Sequence, residues 1–173
     1  MGRPHIEFIQ SQALAWAPSP WQGLYGDTEV KVLSRDEGSG ETSNLIRYPA
    51  GWSRADPEYL AVDEELYVLG GELMINGVSY GEACYAHLPA GFARQSASAT
   101  DGAAVLTFLS GVPEGGPGAA PDSLYDEARL VTRIDALASD FSTEFTVLGV
   151  EPEDAISDGL SAEAFLLLRE DPH

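Results

Sequence analysis

Few side chains in this sequence carry the chemistry of a reactive or binding site. His87 is the one histidine of the central chain, since His5 and His173 lie near the ends. An imidazole there suits a lone general base or a replacement metal ligand, and equally a half-buried hydrogen bond to a neighbour. Cys84 is the sole cysteine, so no internal disulfide and no multi-cysteine zinc framework can form. No basic residue stands near it in sequence, so an inert buried thiol fits better than a nucleophile. Ser96, Ser98 and Thr100 lack a paired histidine and aspartate, which argues against a hydrolase triad. Gly70-Gly71 and Gly115-Gly116 have no following Lys-Ser/Thr and read as turns, not phosphate loops. Trp52, Tyr67 and Phe92 have the rings of a core, a rim or a ligand-pocket wall.

Charge narrows the partners. The 173 residues contain 28 acidic and 9 basic side chains, a formal charge of −19, and Lys31 is the only lysine. A field of that sign repels nucleic-acid phosphates and anionic membrane surfaces. Its simplest role is solubility. No apolar run approaches the ~18 residues of a membrane span, and the first residues lack the apolar core of a secretion signal. The expectation is a cytoplasmic protein with a reduced thiol, no nucleic acid and no membrane among its partners.

The elements that must position these residues are strands. Apolar residues make up 44% of the chain, enough for a core, while 18 glycines and 11 prolines punctuate it too often for a helical bundle. Val30–Ser34, Thr42–Tyr48, Glu65–Leu69, Glu72–Ile75, Val78–Tyr80, Cys84–Leu88 and Ala103–Ser110 read as short strands separated by turn signals. Asn76-Gly77 is the signal of a type I′ hairpin. An Ile6–Ile9 strand is expected before Pro18 and Pro20. Residues 111–127 read as a Gly/Pro linker. Beyond it, Glu127–Asp140 allows helix or strand, and Phe145–Val150 and Ala164–Arg169 read as strands. The implied organisation is an arm over 1–29, a barrel over 30–110, the linker, and an extension over 128–173. A faint echo between Val32–Asp36 and Leu167–Asp171 admits a degenerate second copy in that extension, or chance.

Two stretches resemble the cupin superfamily, especially small cupins related to the C-terminal domain of ChrR-type anti-sigma factors and to acetylacetone-cleaving enzymes. They are Glu64-Glu65-Leu66-Tyr67-Val68-Leu69-Gly70-Gly71-Glu72-Leu73 and Tyr80-Gly81 through His87-Leu88-Pro89-Ala90-Gly91. The family's first motif, Gly-x5-His-x-His-x3,4-Glu-x6-Gly, aligns on Gly51, Glu64 and Gly71. Pro57 and Tyr59 then stand at its histidine positions. The second motif aligns on Pro89 and Gly91, with Ala83 at its first glycine and Arg94 at its histidine. The resemblance implies an all-β fold, a double-stranded β-helix (jelly-roll-like) barrel, with one metal-ligating carboxylate kept and three histidines missing. A first-row metal needs imidazoles beside that carboxylate. Arg94 cannot ligate and brings a fixed positive charge to the metal's place. An Arg94–Glu64 ion pair inside the barrel is therefore expected.

Three functions follow. The first is a cupin without metal or other cofactor that binds a small organic ligand in its barrel. Arg94 would receive an anionic or carbonyl group, and Trp52, Tyr59, Tyr67 and Phe92 would shape the pocket. The second is an enzyme. It is either a metal-independent isomerase or lyase using Glu64, His87 or Tyr59 as acid and base, or an oxygenase on an unorthodox metal set of Glu64, His87 and Tyr59. The third is a regulatory or interaction module. By the same resemblance a homodimer is expected, with the Ile6–Ile9 arm offering a strand for exchange.

Overall fold

Alternation of apolar and polar residues along short segments, cut by glycine-bearing turns, produces a fold almost wholly of antiparallel strands. The computed structural model describes residues 10–21 and 23–135. In chain order the strands are β1 (Ala17–Pro18), β2 (Glu29–Arg35), β3 (Thr42–Tyr48), β4 (Trp52–Arg54), β5 (Glu58–Leu60), β6 (Glu64–Gly71) and β7 (Leu73–Ile75). There follow β8 (Val78–Tyr80), β9 (Cys84–Leu88), β10 (Ala97–Ala99), β11 (Ala103–Leu109), β12 (Gly115–Pro117) and β13 (Val131–Asp135). Single 3-10 turns at Ser11–Ala13, Gly23–Tyr25 and Glu127–Arg129 complete the described chain.

A seven-stranded sheet runs β1-β2-β3-β11-β6-β9-β13 and faces a four-stranded sheet β4-β10-β7-β8. A two-stranded ribbon, β12-β5, is the third sheet. The barrel core lies between the two large sheets, where Ile46, Leu66, Val68 and Val105 of the first meet Trp52, Leu73, Ile75 and Ala99 of the second. A smaller apolar cluster, Tyr85, Leu106, Phe108 and Ile134, packs on the opposite face of the seven-stranded sheet. Strand parity separates the two. On β9, Cys84, Ala86 and Leu88 join the interior and Tyr85 joins the outer cluster.

Local backbone geometry agrees with the motif alignment. Asn76 and Gly77 take φ of 53° and 78°, as a type I′ turn between β7 and β8 requires. Gly71 has φ of 78°, and a Cβ there would stand 2.2 Å from the Gly102 carbonyl oxygen, so only glycine fits. Ala83, which stands where the second motif has glycine, has φ of 63°. A side chain in this left-handed region carries a steric penalty of roughly 1–2 kcal/mol.

The linker expectation needs correction. Gly115–Pro117 forms β12 and pairs with β5, because Gly115 lets the two backbones approach closely. Of Glu127–Asp140, residues Val131–Asp135 are a strand paired antiparallel to β9, on the edge of the same sheet. The expected strands at Ile6–Ile9, Phe145–Val150 and Ala164–Arg169, and most of the suggested second copy, lie outside the described residues. Among the described residues no helix is long and apolar enough to cross a membrane.

Candidate functional site

Glu64 opens β6 and faces the interior, and its register partners Leu88 of β9 and Leu109 of β11 do the same. Arg94 lies after the Pro89-Ala90-Gly91 turn. Its backbone is fastened to β5 in both directions: Glu58 N–H donates to Arg94 O at 3.0 Å and Arg94 N–H to Glu58 O at 2.8 Å. That anchorage aims the guanidinium inward, where Nη2 pairs with Glu64 Oε2. Both side chains are 5% exposed. The other carboxylate oxygen, Oε1, accepts a hydrogen bond from the Tyr25 hydroxyl at 2.7 Å. Both oxygens of a buried carboxylate are thus satisfied, which is the condition under which a buried ion pair is tolerated.

Tyr25 comes from the arm. The 3-10 turn Gly23–Tyr25 dips into the barrel mouth and is held there by its carbonyls. Thr28 Oγ1 donates to Tyr25 O at 2.6 Å, and Trp52 Nε1 and Arg54 Nη2 donate to Gly26 O at 3.0 and 2.6 Å. Arg54 Nε adds a bond to Gly23 O at 3.2 Å, and Asp27 pairs with the same guanidinium at 2.9 Å. A cavity of about 20 Å³ remains beside the ion pair, walled by Leu24, Tyr25, Tyr48, Trp52 and Ile75. That is room for roughly one water.

The phenols here do not ionise readily. Burial, and then the Glu64 charge, hold the Tyr25 hydroxyl well above the usual tyrosine range. The same two causes, in the same order, raise Tyr48. Burial pushes Tyr80 up to about 12. These groups stay neutral at physiological pH, and the Tyr25 hydroxyl donates its hydrogen bond to Glu64.

Outside this wall lies a larger cleft of about 460 Å³. It is lined by Glu58, Tyr59 and Leu60 of β5, by the 113–117 segment, and by Gly23 and Leu24. Leu24 borders both the cleft and the inner cavity.

The structure therefore brings Glu64, Arg94 and Trp52 together and places the other expected residues elsewhere. His87 cannot serve the cavity. Its neighbours Ala86 and Leu88 point inward, so strand parity turns it outward, where Nδ1 donates to Arg129 O at 2.6 Å. Arg129 is itself paired with Asp63 at 2.6 Å. Tyr67 is outward by the same rule and packs against the outer cluster. Tyr59 lines the outer cleft, packed against Gly116, and is not among the residues that wall the inner cavity. Phe92 stands beside the site without lining it; its ring pairs with Tyr125 and lies 5.8 Å from the Arg94 guanidinium. Two acids near the mouth are engaged in contacts of their own. Glu58 packs its carboxylate on the Gly23 turn, and Asp63 holds Arg129 and the Ala90 N–H. Sequence reasoning missed Leu24, Tyr25 and Tyr48. The only available signal for the first two was an apolar pair inside the Gly-Leu-Tyr-Gly string of the arm.

No protein-family model and no curated protein matches the sequence. Solved structures do match. An RmlC-like cupin from Ralstonia eutropha JMP134 superposes with a TM-score of 0.54 at 14% identity, over 85% of this chain and 91% of its own. A candidate acetylacetone dioxygenase from Methylibium petroleiphilum PM1 gives 0.53 at 13% identity, over 85% and 96%. A candidate dioxygenase from Nostoc punctiforme PCC 73102 gives 0.55 at 16% identity, over 64% of this chain. This chain spans about two fifths of that protein, 39%. Identities this low speak for the fold alone. With two facing antiparallel sheets, motif glycines in their strained conformations and an inward Glu64 at the barrel mouth, the chain has the cupin fold.

Proposed function

We propose that this chain is a ligand-binding cupin that works without a metal, its buried Glu64–Arg94 ion pair standing where a cupin metal would. The observation that carries the reading is that pair itself. A divalent ion does not fit the residues present. Among the three histidine positions of the motifs, Pro57 has no donor, Tyr59 lies in the outer cleft, and Arg94 brings a positive charge of its own. The one remaining carboxylate has both oxygens engaged. Among the described residues no three His, Cys, Asp or Glu side chains converge on a point.

Binding is favoured over turnover. General acid–base work needs a group that exchanges a proton near neutral pH. His87 is on the other face of the sheet, and Tyr25 and Tyr48 are held protonated. Glu64 is left alone in that role, already shared by two donors. The small organic ligand expected from the sequence would use the interior site and the cleft outside it, across the Leu24 wall.

Elemental mass spectrometry tests the metal-free reading, on untagged protein before and after incubation with Fe(II), Mn(II), Ni(II) or Zn(II). The expected content is below ~0.1 equivalent of any of them, far from single-site occupancy. Near-stoichiometric metal overturns it and returns the oxygenase reading.

A further inference from the structure

The interior site already holds a guest, and the guest belongs to the chain. The Tyr25 ring fills the space beside Glu64, and only about 20 Å³ is left open. No organic ligand can share that space, so a ligand must take the place of this side chain. We infer that Tyr25 is a resident stand-in for the ligand, and that the site takes a neutral hydroxyl donor on a flat ring, a phenol or a cyclic enol. This rests on the ligand-binding reading above and names the ligand's class.

Three features set the class. Glu64 Oε1 now accepts from a phenol hydroxyl at 2.7 Å while Oε2 is committed to Arg94. A guest that displaced Tyr25 without returning a donor would leave a buried acceptor unsatisfied. The hydroxyl is therefore required. Charge comes next. The ion pair is neutral as a unit and 5% exposed. An anion or a cation added beside it would bring an uncompensated charge out of water. This departs from the anionic ligand that Arg94 suggested in isolation, because Glu64 has already taken up the Arg94 charge. Shape is third. The space vacated is that of a six-membered ring, and the cavity left beside it is walled by Leu24, Tyr48, Trp52 and Ile75.

The exchange has a route. Among the described residues Leu24 alone is common to the walls of the cavity and the 460 Å³ cleft, whose size suits a ligand of ordinary dimensions. The backbone of the turn is tied down through Gly23 O, Tyr25 O and Gly26 O. The motion needed is thus a swing of the Leu24 and Tyr25 side chains about a fixed turn. The bulk of the ligand would lie in the cleft and its hydroxyl on Glu64.

The test is a calorimetric titration of the wild type and Tyr25→Ala with p-cresol, toluene and p-toluate. p-Cresol is the tyrosine side chain itself, toluene lacks the hydroxyl, and p-toluate carries a charge in its place. In Tyr25→Ala, p-cresol should bind at least about tenfold more tightly than either relative, the factor expected when a buried acceptor keeps or loses its donor. The wild type should bind p-cresol saturably but about tenfold or more weakly than the variant, since Tyr25 competes. Tryptophan fluorescence should follow, because the Trp21 ring lies 5.7 Å from that of Tyr25. Equal affinity for p-cresol and toluene overturns the inference, as does preference for p-toluate or a wild type that never binds p-cresol. If Tyr25→Ala is unfolded, recovery of its circular dichroism by p-cresol supports the inference, and no recovery overturns it. Metal content is read separately, so failure here is distinguishable from failure of the metal-free reading.

Discussion

Glu64 and Glu65 are neighbours in sequence, both are buried, and each accepts a hydrogen bond from a tyrosine, yet they live on opposite faces of one sheet. Glu64 faces the barrel, takes the Tyr25 hydroxyl at 2.7 Å and pairs with Arg94 beside a cavity. Glu65 faces out, takes the Tyr85 hydroxyl at 3.0 Å and stands opposite His87 in the β6–β9 register. The same residue type becomes a candidate site on one face and part of the packing on the other. Strand parity chooses the face. What arrives there from distant sequence, an arginine 30 residues on and a tyrosine 39 residues back, chooses the chemistry.

The comparison breaks most visibly at Arg94. Arg94→Met leaves Glu64 buried without its counter-charge, and urea unfolding should show a loss of about 3–5 kcal/mol. The double variant Arg94→Met with Glu64→Gln should recover part of that loss, since the stranded charge is then gone. A single-variant loss below ~1 kcal/mol, the range of surface pairs, would mean that the pair is not sealed from water.

Alkaline pH probes both faces together. Tyr25 on the inside and Tyr85 on the outside are each raised, first by burial and then by the adjacent glutamate. Their folded-state values lie above the unfolded value near 10, so their contribution to stability is complete below about pH 10. It is lost as pH rises from there towards the folded values, at ~1.4 kcal/mol per pH unit for each tyrosine. Urea midpoints taken from pH 9 to pH 11.5 should fall accordingly. Tyr25→Phe and Tyr85→Phe should each flatten the fall by one tyrosine's share. A flat profile in the wild type would contradict the burial of both phenols.

His87→Gln sharpens the assignment of faces with a smaller effect. It should cost about 1 kcal/mol, from weakening of the bond to Arg129 O. It should leave p-cresol affinity in Tyr25→Ala unchanged within about twofold, because His87 and the cavity are separated by the sheet. Loss of binding together with retained stability would put His87 back at the site.

Much of the barrel could be read from the chain. The longer strands β2, β3, β6, β9 and β11 are runs of five residues or more bounded by turn signals, and their bounds fall close to the expected ones. The three-residue strands β4, β5, β10 and β12 have no period to read, whereas the equally short β7 and β8 are marked by the Asn76-Gly77 turn between them. Glu64 and Arg94 were legible from motif spacing, since the turn after Gly51 and the turn at Gly91 impose fixed positions. For His87 the sequence left a site role and a half-buried hydrogen bond both open, and one more step separates them: with Glu64 inward and paired to Leu88, its neighbour had to face out.

The order of residues alone points to an all-β chain, to the positions of its tight turns, and to Pro57, Tyr59 and Arg94 at the places where the aligned cupin motifs carry histidine. Those are local properties, set by side-chain period, by glycine's freedom at positive φ and by residue identity. Long-range packing puts Tyr25 in the barrel and Leu24 between cavity and cleft, and sends Tyr59, Tyr67 and His87 elsewhere. These depend on contacts between segments tens of residues apart, whose pairing is settled by burial and hydrogen-bond satisfaction across the whole barrel rather than by any pattern within a segment.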